Sequence, residues 1–264
     1  MTVFWYVMIF MIGASVGSFL NVLIMRMIEG EDFIKGRSHC DHCRKTLTWY
    51  EMIPIVSFLW YRGRSRCCKK PLSYQYPIVE ALIGVLFVWW ILMGALFFRL
   101  VTSPLSTMQP VFWLVIAIIL MGIFVTDLFY GLIPSPFVWG GVVLTGLYRI
   151  GLVMAGAYQG VDLFLSILSA IGASGFFWLL RSITKGKGMG EGDVILAVLV
   201  GFILGWPRVV VGVMSSFIIG AVVAIGLIMV GKKKFGQTVP FGPFMITGII
   251  VGLLWGERVL SLLF

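Results

Sequence analysis

Apolar positions in this chain come in long unbroken runs, neither alternating with a period of two nor confined to a narrow helical stripe. Eight runs can be marked, at roughly 2–25, 76–98, 110–127, 136–156, 161–180, 192–206, 208–230 and 241–262. Most reach the ~18–20 residues that a helix needs to cross the hydrocarbon of a bilayer. The sixth is short, and only the tight "WPR" at 206–208 separates it from the seventh. The pattern predicts an all-α membrane protein with about eight transmembrane helices. The first run, "MTVFWYVMIFMIGASVGSFL", lacks a basic leading segment and is too long for the apolar part of a signal peptide, so a retained span is expected. Only one connection, about residues 26–75, is large enough to be a small domain. The expected organisation is a first helix over 1–25, a loop domain over 26–75 and a polytopic helical core over 76–264.

Composition points the same way. Of 264 residues, 60% are hydrophobic and 12% charged, and the mean hydropathy is +1.04. A soluble domain of this size cannot hide so much apolar surface. The net charge of +9 would suit a nucleic-acid binder, but its distribution does not. Ten of the twenty Lys and Arg residues lie between positions 26 and 70. Arg181, Lys185 and Lys187 follow the fifth run, and Lys232, Lys233 and Lys234 follow the seventh. With eight spans these three groups fall on one side, facing only Arg99, Arg208 and Arg258 on the other. Basic loops stay in the cytoplasm, so both termini are expected outside. The basicity reports topology, and no nucleic-acid partner is expected.

The 26–75 loop holds all four cysteines, as Cys40 and Cys43 in "HCDHC" and Cys67 and Cys68 in "RCCKK". A cytoplasmic loop disfavours stable disulfides. Two cysteine pairs about 25 residues apart suit a tetrahedral thiolate zinc site, and the metal would replace a core that so short a segment can hardly build. The second pair is adjacent, which strains chelation of one ion. Either all four thiols converge, or His39 or His42 supplies the fourth ligand and leaves Cys67 aside.

Acids near or within the spans are Glu80, Asp127, Asp162, Glu191, Asp193 and Glu257. Ionisable groups at membrane depth are costly and mark candidate sites. Asp162 and Glu257 fall on the outer side, as hydrated interfacial acids. Glu80 enters the second span, where it would pair with a loop arginine. Arg149, alone in "TGLYRIGLV", is expected to snorkel outward or to pair with Asp162. Asp127 closes the third span and Asp193 opens the sixth from the same, cytoplasmic side. Side by side, two carboxylates do not both ionise readily, and one base plus one acid is what aspartic proteolysis uses. The glycines of "GMGEGD" allow close backbone approach there, and Glu191 has no spacing that gives it a role.

With those residues in view, the chain resembles the type 4 prepilin peptidases over nearly its whole length. The resemblance is carried by "GSFLNVLIMR" from Gly17, the cysteine loop, "DLFYGLIP", "GEGD" and "VPFGPFM" from Val239, in order. It implies that Asp127 and Asp193 form the catalytic pair of a membrane aspartyl endopeptidase in the bacterial inner membrane. It implies as substrates the prepilins or pseudopilins of type IV pilus and type II secretion systems, each with a basic leader ahead of a hydrophobic helix. It also implies N-methylation of the new N-terminus with S-adenosylmethionine. No glycine fingerprint of a dinucleotide fold is present, so the methyl-donor site must be built otherwise, with the cysteine loop and the first two spans as the candidate. The family pattern has two Cys-x-x-Cys pairs, and here Ser65 falls on the third cysteine, Cys68 on the fourth, and Cys67 is extra.

Two other classes compete. In a transporter, Asp127, Asp193 and Arg149 would be coupling groups, but transporters commonly show internal repeats with acids near the midplane. A zinc-stapled scaffold without turnover would leave the two aspartates unused. An archaeal-type preflagellin peptidase would share the acids but not the long cysteine loop.

Overall fold

The computed structural model describes residues 2–32, 36–94, 105–186, 188–232, 234 and 239–263. The end of the second expected span (95–98), Arg99, Lys187 and Lys233 lie outside the described residues. The helices are α1 (Thr2–Glu29), the short α2 (Val56–Trp60), α3 (Gln75–Trp89, continued by a wider turn over Trp90–Gly94), α4 (Leu105–Tyr130), α5 (Ser135–Met154), α6 (Gly160–Ile183), α7 (Glu191–Leu204), α8 (Arg208–Met229) and α9 (Gly242–Leu263). Seven of them are long and apolar enough to cross a membrane. The chain divides into two compact units, Met1–Leu114 and Val115–Phe264.

In the first unit α1 packs along α3 through small residues that let the backbones approach. A Cβ added at Gly17 would stand 2.9 Å from Glu80 Cα, and one at Gly13 would stand 2.8 Å from the Ile83 carbonyl oxygen. Just above, buried Asn21 accepts a hydrogen bond from Gln75 (3.3 Å) and donates to the Tyr76 carbonyl (3.2 Å). These bonds fix the register of the two helices. Tyr76 in turn donates to Asp41 at 2.7 Å and ties α3 to the first cysteine knuckle.

In the second unit α7 is central. It contacts α5, α6, α8 and α9, and Leu196, Ala197, Leu199, Val200 and Phe202 are all buried. Its 14 residues span only ~21 Å at 1.5 Å per residue, short of the ~30 Å hydrocarbon thickness. A helix sheathed by other helices need not match the lipid. Its C-terminus is closed by Arg149 of α5, which donates to the Phe202 and Ile203 carbonyls at 2.9 Å each. Arg149 therefore neither snorkels nor forms an ion pair with Asp162. Two carbonyls left over at a helix end offer it a buried partner of the right sign. Asp162 instead accepts from the Gln159 N–H at 2.9 Å and caps α6. Glu257 pairs with Arg208.

Candidate functional site

Asp127 lies one turn before the end of α4. That helix stops where Gly131 turns left-handed (φ +64°) and returns its N–H to the Asp127 carbonyl at 2.9 Å. The following extended segment, closed by Pro134, lays Ile133 over Gly192. A Cβ on Gly192 would come within 2.8 Å of Ile133 Cβ. The chain leaving Asp127 is thus seated directly on the start of α7, one residue before Asp193.

Both carboxylates are buried, at 5% exposure for Asp127 and 8% for Asp193. Each is held by one backbone N–H at a helix N-terminus, where such donors otherwise lack partners. Gly190 donates to Asp193 Oδ2 at 2.9 Å, and Gly242, the first residue of α9, donates to Asp127 Oδ2 at 2.7 Å. The Oδ1 atom of each accepts no hydrogen bond among the described residues. The seat of Ile133 on Gly192 brings the start of α7, and with it Asp193, against the chain leaving Asp127. Two oxygens are therefore fixed and two are free to meet a water or a peptide. The glycines have spatial reasons: Gly192 leaves room for Ile133, and a Cβ at Gly242 would stand 2.7 Å from Asp127 Oδ2. Glu191 is exposed and pairs with Arg181 at 3.5 Å, apart from this site.

The cysteine loop is built from two matching knuckles. In the first, the Cys40 N–H donates to Lys45 O and the Arg44 N–H to Cys40 O. In the second, the Ser65 N–H donates to Lys70 O and the Lys69 N–H to Ser65 O, all at 2.8–2.9 Å. Arg44 and Lys69 both carry positive φ, +57° and +60°. Ser65 therefore occupies in the second knuckle the place Cys40 has in the first. The Sγ atoms of Cys40, Cys43, Cys67 and Cys68 nevertheless lie within 4.8 Å of one another, with exposed Cys67 beside Cys43. Cys40 and Cys68 are 3.8 Å apart, and Cys43 and Cys67 are 2.9 Å apart. Zn–S bonds of ~2.3 Å at tetrahedral angles need S···S near ~3.8 Å. The Cys40–Cys68 pair meets this and the Cys43–Cys67 pair must part by about 0.9 Å. The four-thiol donor set suits a tetrahedral thiolate-binding metal once those two sulfurs separate. The buried Ser65 hydroxyl bridges Cys40 (3.2 Å) and Cys67 (3.1 Å). Burial pushes the Cys40 thiol up, but hydrogen bonds from Ser65 and from the Cys43 and His42 backbones outweigh it and bring it down to about 6. His42 bonds to the Pro71 carbonyl at 3.1 Å. His39 sits with Glu29 and Glu31 around the Arg44 guanidinium, which lies 2.8 Å from each carboxylate.

Beneath this loop, within the first unit, lies a cavity of about 750 Å³, a size typical of ligand sites. Glu29, Glu31 and Glu51 line it toward the loop, and Phe19, Val22 and Leu23 of α1 line it toward the membrane span. Glu80 also lines it. The sequence suggested a loop arginine as its partner. The structure instead gives it the Ile55 N–H at 2.7 Å. Ile55 has φ +61°, and this turn aims its N–H at the carboxylate.

Fold and site define a multi-pass α-helical membrane protein with one buried pair of aspartates and one four-cysteine cluster. Residues 11–93 match the bacterial peptidase A24 N-terminal domain, and residues 114–225 match the type IV leader peptidase family. The chain is 30% identical to the prepilin leader peptidase/N-methyltransferase of Aeromonas hydrophila, over 97% of this chain and 92% of that one. It is 31% identical to the protein of that name from Bacillus subtilis strain 168, over 96% and 95%. The Legionella pneumophila protein of that name is 28% identical, over 98% and 94%. No solved structure matches it. The chain belongs to the type IV leader peptidase family and is a multi-pass protein of the bacterial inner membrane.

Proposed function

We propose that this protein is a bifunctional enzyme. It cleaves the basic leader from type IV prepilins or pseudopilins at the cytoplasmic face and N-methylates the new N-terminal residue. The observation that carries the peptidase reading is the pair of buried carboxylates, Asp127 and Asp193, each with one oxygen fixed by a backbone N–H and one free. One member, ionised, takes a proton from water as the oxygen attacks the scissile carbonyl. The other, protonated, supplies a proton toward the departing amine. The pair, not either residue alone, sets the pH behaviour. Transporter and scaffold readings leave this arrangement without a purpose.

The four thiols are assigned to a structural zinc ion held by Cys40, Cys43, Cys67 and Cys68, with the Ser65 hydroxyl in hydrogen-bond reach of two of the sulfurs and donating to one of them at a time. The ion would supply cross-linking of the two knuckles rather than chemistry. For methylation, the cavity of the first unit is the candidate donor site. Its polar wall mixes acids with Arg26, Arg64 and Arg66, and Glu29 and Glu31 are held by Arg44. A lining of both signs suits the zwitterionic end of S-adenosylmethionine, which supplies an activated methyl group when bound.

The test is cleavage of a purified prepilin in detergent by wild type, Asp127→Asn and Asp193→Asn. Asparagine keeps the acceptor for the Gly242 or Gly190 N–H but is neither base nor acid. Each variant should melt near the wild-type temperature and lose at least ~100-fold in kcat, the lower range for proton transfer by a placed side chain. Near wild-type cleavage by either folded variant refutes the pair.

A further inference from the structure

We infer that Glu80 is the residue that receives the α-amino group of the methyl acceptor and takes its proton, which makes the cavity of the first unit an acceptor site as well as a donor site. The inference rests on the N-methyltransferase function proposed above.

Glu80 is 6% exposed. Among the described residues no Lys, Arg or His forms an ion pair with it. Its hydrogen-bond partner among the described residues is a neutral donor, the Ile55 N–H. A buried carboxylate held only by neutral donors is a strong place for a cation. The cavity gives that cation a chemical identity. Its lining runs along α1 from Ser15 to Glu29, ~21 Å at helical rise. The wall is apolar at Phe19, Val22 and Leu23 and charged with both signs toward the loop, where Glu29 and Glu31 are held by Arg44 and where Arg64 and Arg66 also line it. Glu80 stands level with Ser18, at the apolar end. An ammonium carried on an apolar chain fits that end, and this describes the N-terminus of a processed pilin. A polar donor fits the other.

The chemistry requires such a group. A protein α-amino group has a pKa of ~7.7–8.0 and is mostly protonated at neutral pH, whereas the nucleophile is the free amine. Glu80 accepts one proton from the ammonium. The nitrogen lone pair then forms the N–C bond to the sulfonium methyl as the C–S bond breaks. Its electron pair goes to sulfur, leaving a neutral thioether. The product is a secondary ammonium, and the Glu80 proton passes to solvent.

Glu80→Gln separates this role from a merely structural one, because the amide oxygen still accepts from Ile55 while basicity and charge are lost. In full-length enzyme in detergent, three quantities are read. These are methylation of pre-cleaved pilin, calorimetric binding of S-adenosylhomocysteine, and binding of a short apolar peptide with a free or an acetylated N-terminus. The E80Q enzyme should methylate at least ~100-fold more slowly, the range of a general base, while binding S-adenosylhomocysteine within twofold of wild type. Wild type should prefer the free amino terminus, and E80Q should not. Glu80→Asp, which keeps the charge, should recover part of both. Methylation by E80Q within threefold of wild type overturns the assignment and leaves Glu80 as an anchor for Ile55. Loss of S-adenosylhomocysteine binding in E80Q also overturns it, because Glu80 then shapes the donor site. If wild type itself neither methylates nor binds S-adenosylhomocysteine, the underlying function fails first.

Discussion

Gly242→Ala is the sharpest probe of the aspartate geometry. The added Cβ would stand 2.7 Å from Asp127 Oδ2 and 3.1 Å from its Cγ. Ordinary contact begins near 3.4 Å, so the carboxylate or the start of α9 must retreat by about 0.7 Å. A retreat of that size stretches the 2.7 Å N–H···O bond beyond useful length. A hydrogen bond to a charged group contributes ~1.5–3 kcal/mol, or about ten- to a hundredfold in rate at 1.36 kcal/mol per decade. Misplacement of a reacting group by ~1 Å has a similar effect. The assay is steady-state cleavage of a purified prepilin in detergent, with kcat and KM separated. The expected result is a kcat lowered ten- to a hundredfold, little change in KM, and continued methylation of pre-cleaved pilin, since Gly242 lies in the other unit. A kcat within twofold of wild type in a folded G242A enzyme would refute the claim that this N–H places Asp127.

Three further outcomes follow from the metal site and the central helix. Purified protein should carry one zinc per chain by elemental analysis. Cys67→Ser should lose most of it and Ser65→Cys/Cys67→Ser should regain it, because the double change restores a Cys-x-x-Cys knuckle; full zinc in the single variant would contradict a four-thiol site. Zinc removal by a strong chelator should loosen the 26–75 loop, seen as faster proteolysis there, while prepilin cleavage persists; protection unchanged by the chelator would argue that no metal braces the loop. Arg149→Met should lower the melting temperature in detergent by ~4–8 °C, from ~2 kcal/mol of charged hydrogen bonds to two carbonyls; an unchanged melt would show that the cap contributes nothing.

The helices were legible in the chain because lipid imposes a length and an apolarity that composition cannot conceal. Seven of the eight runs became helices long enough to span, with ends extended a few residues into polar sequence at Glu29, Tyr130 and Ile183. The pair of cysteine pairs and the sparse acids could be singled out for the same reason, since polar groups in an apolar chain need partners. The partners themselves were hidden. In sequence Arg149 points to its nearest acid and Glu80 to a basic loop, because charge is visible there and backbone direction is not. Both found backbone groups instead.

What the sequence determined by itself was the medium, the approximate number of spans, and which few side chains had to be accommodated. Tertiary structure alone decided how they are held. The Gly242 N–H reaches Asp127 across 115 residues. Ile133 sits on Gly192. Cys67 joins a cluster in which Ser65 holds the expected position. A short α7 is sufficient because other helices surround it. Hydropathy is a property of each segment along the chain, whereas these contacts depend on helix ends that meet only once the bundle is packed.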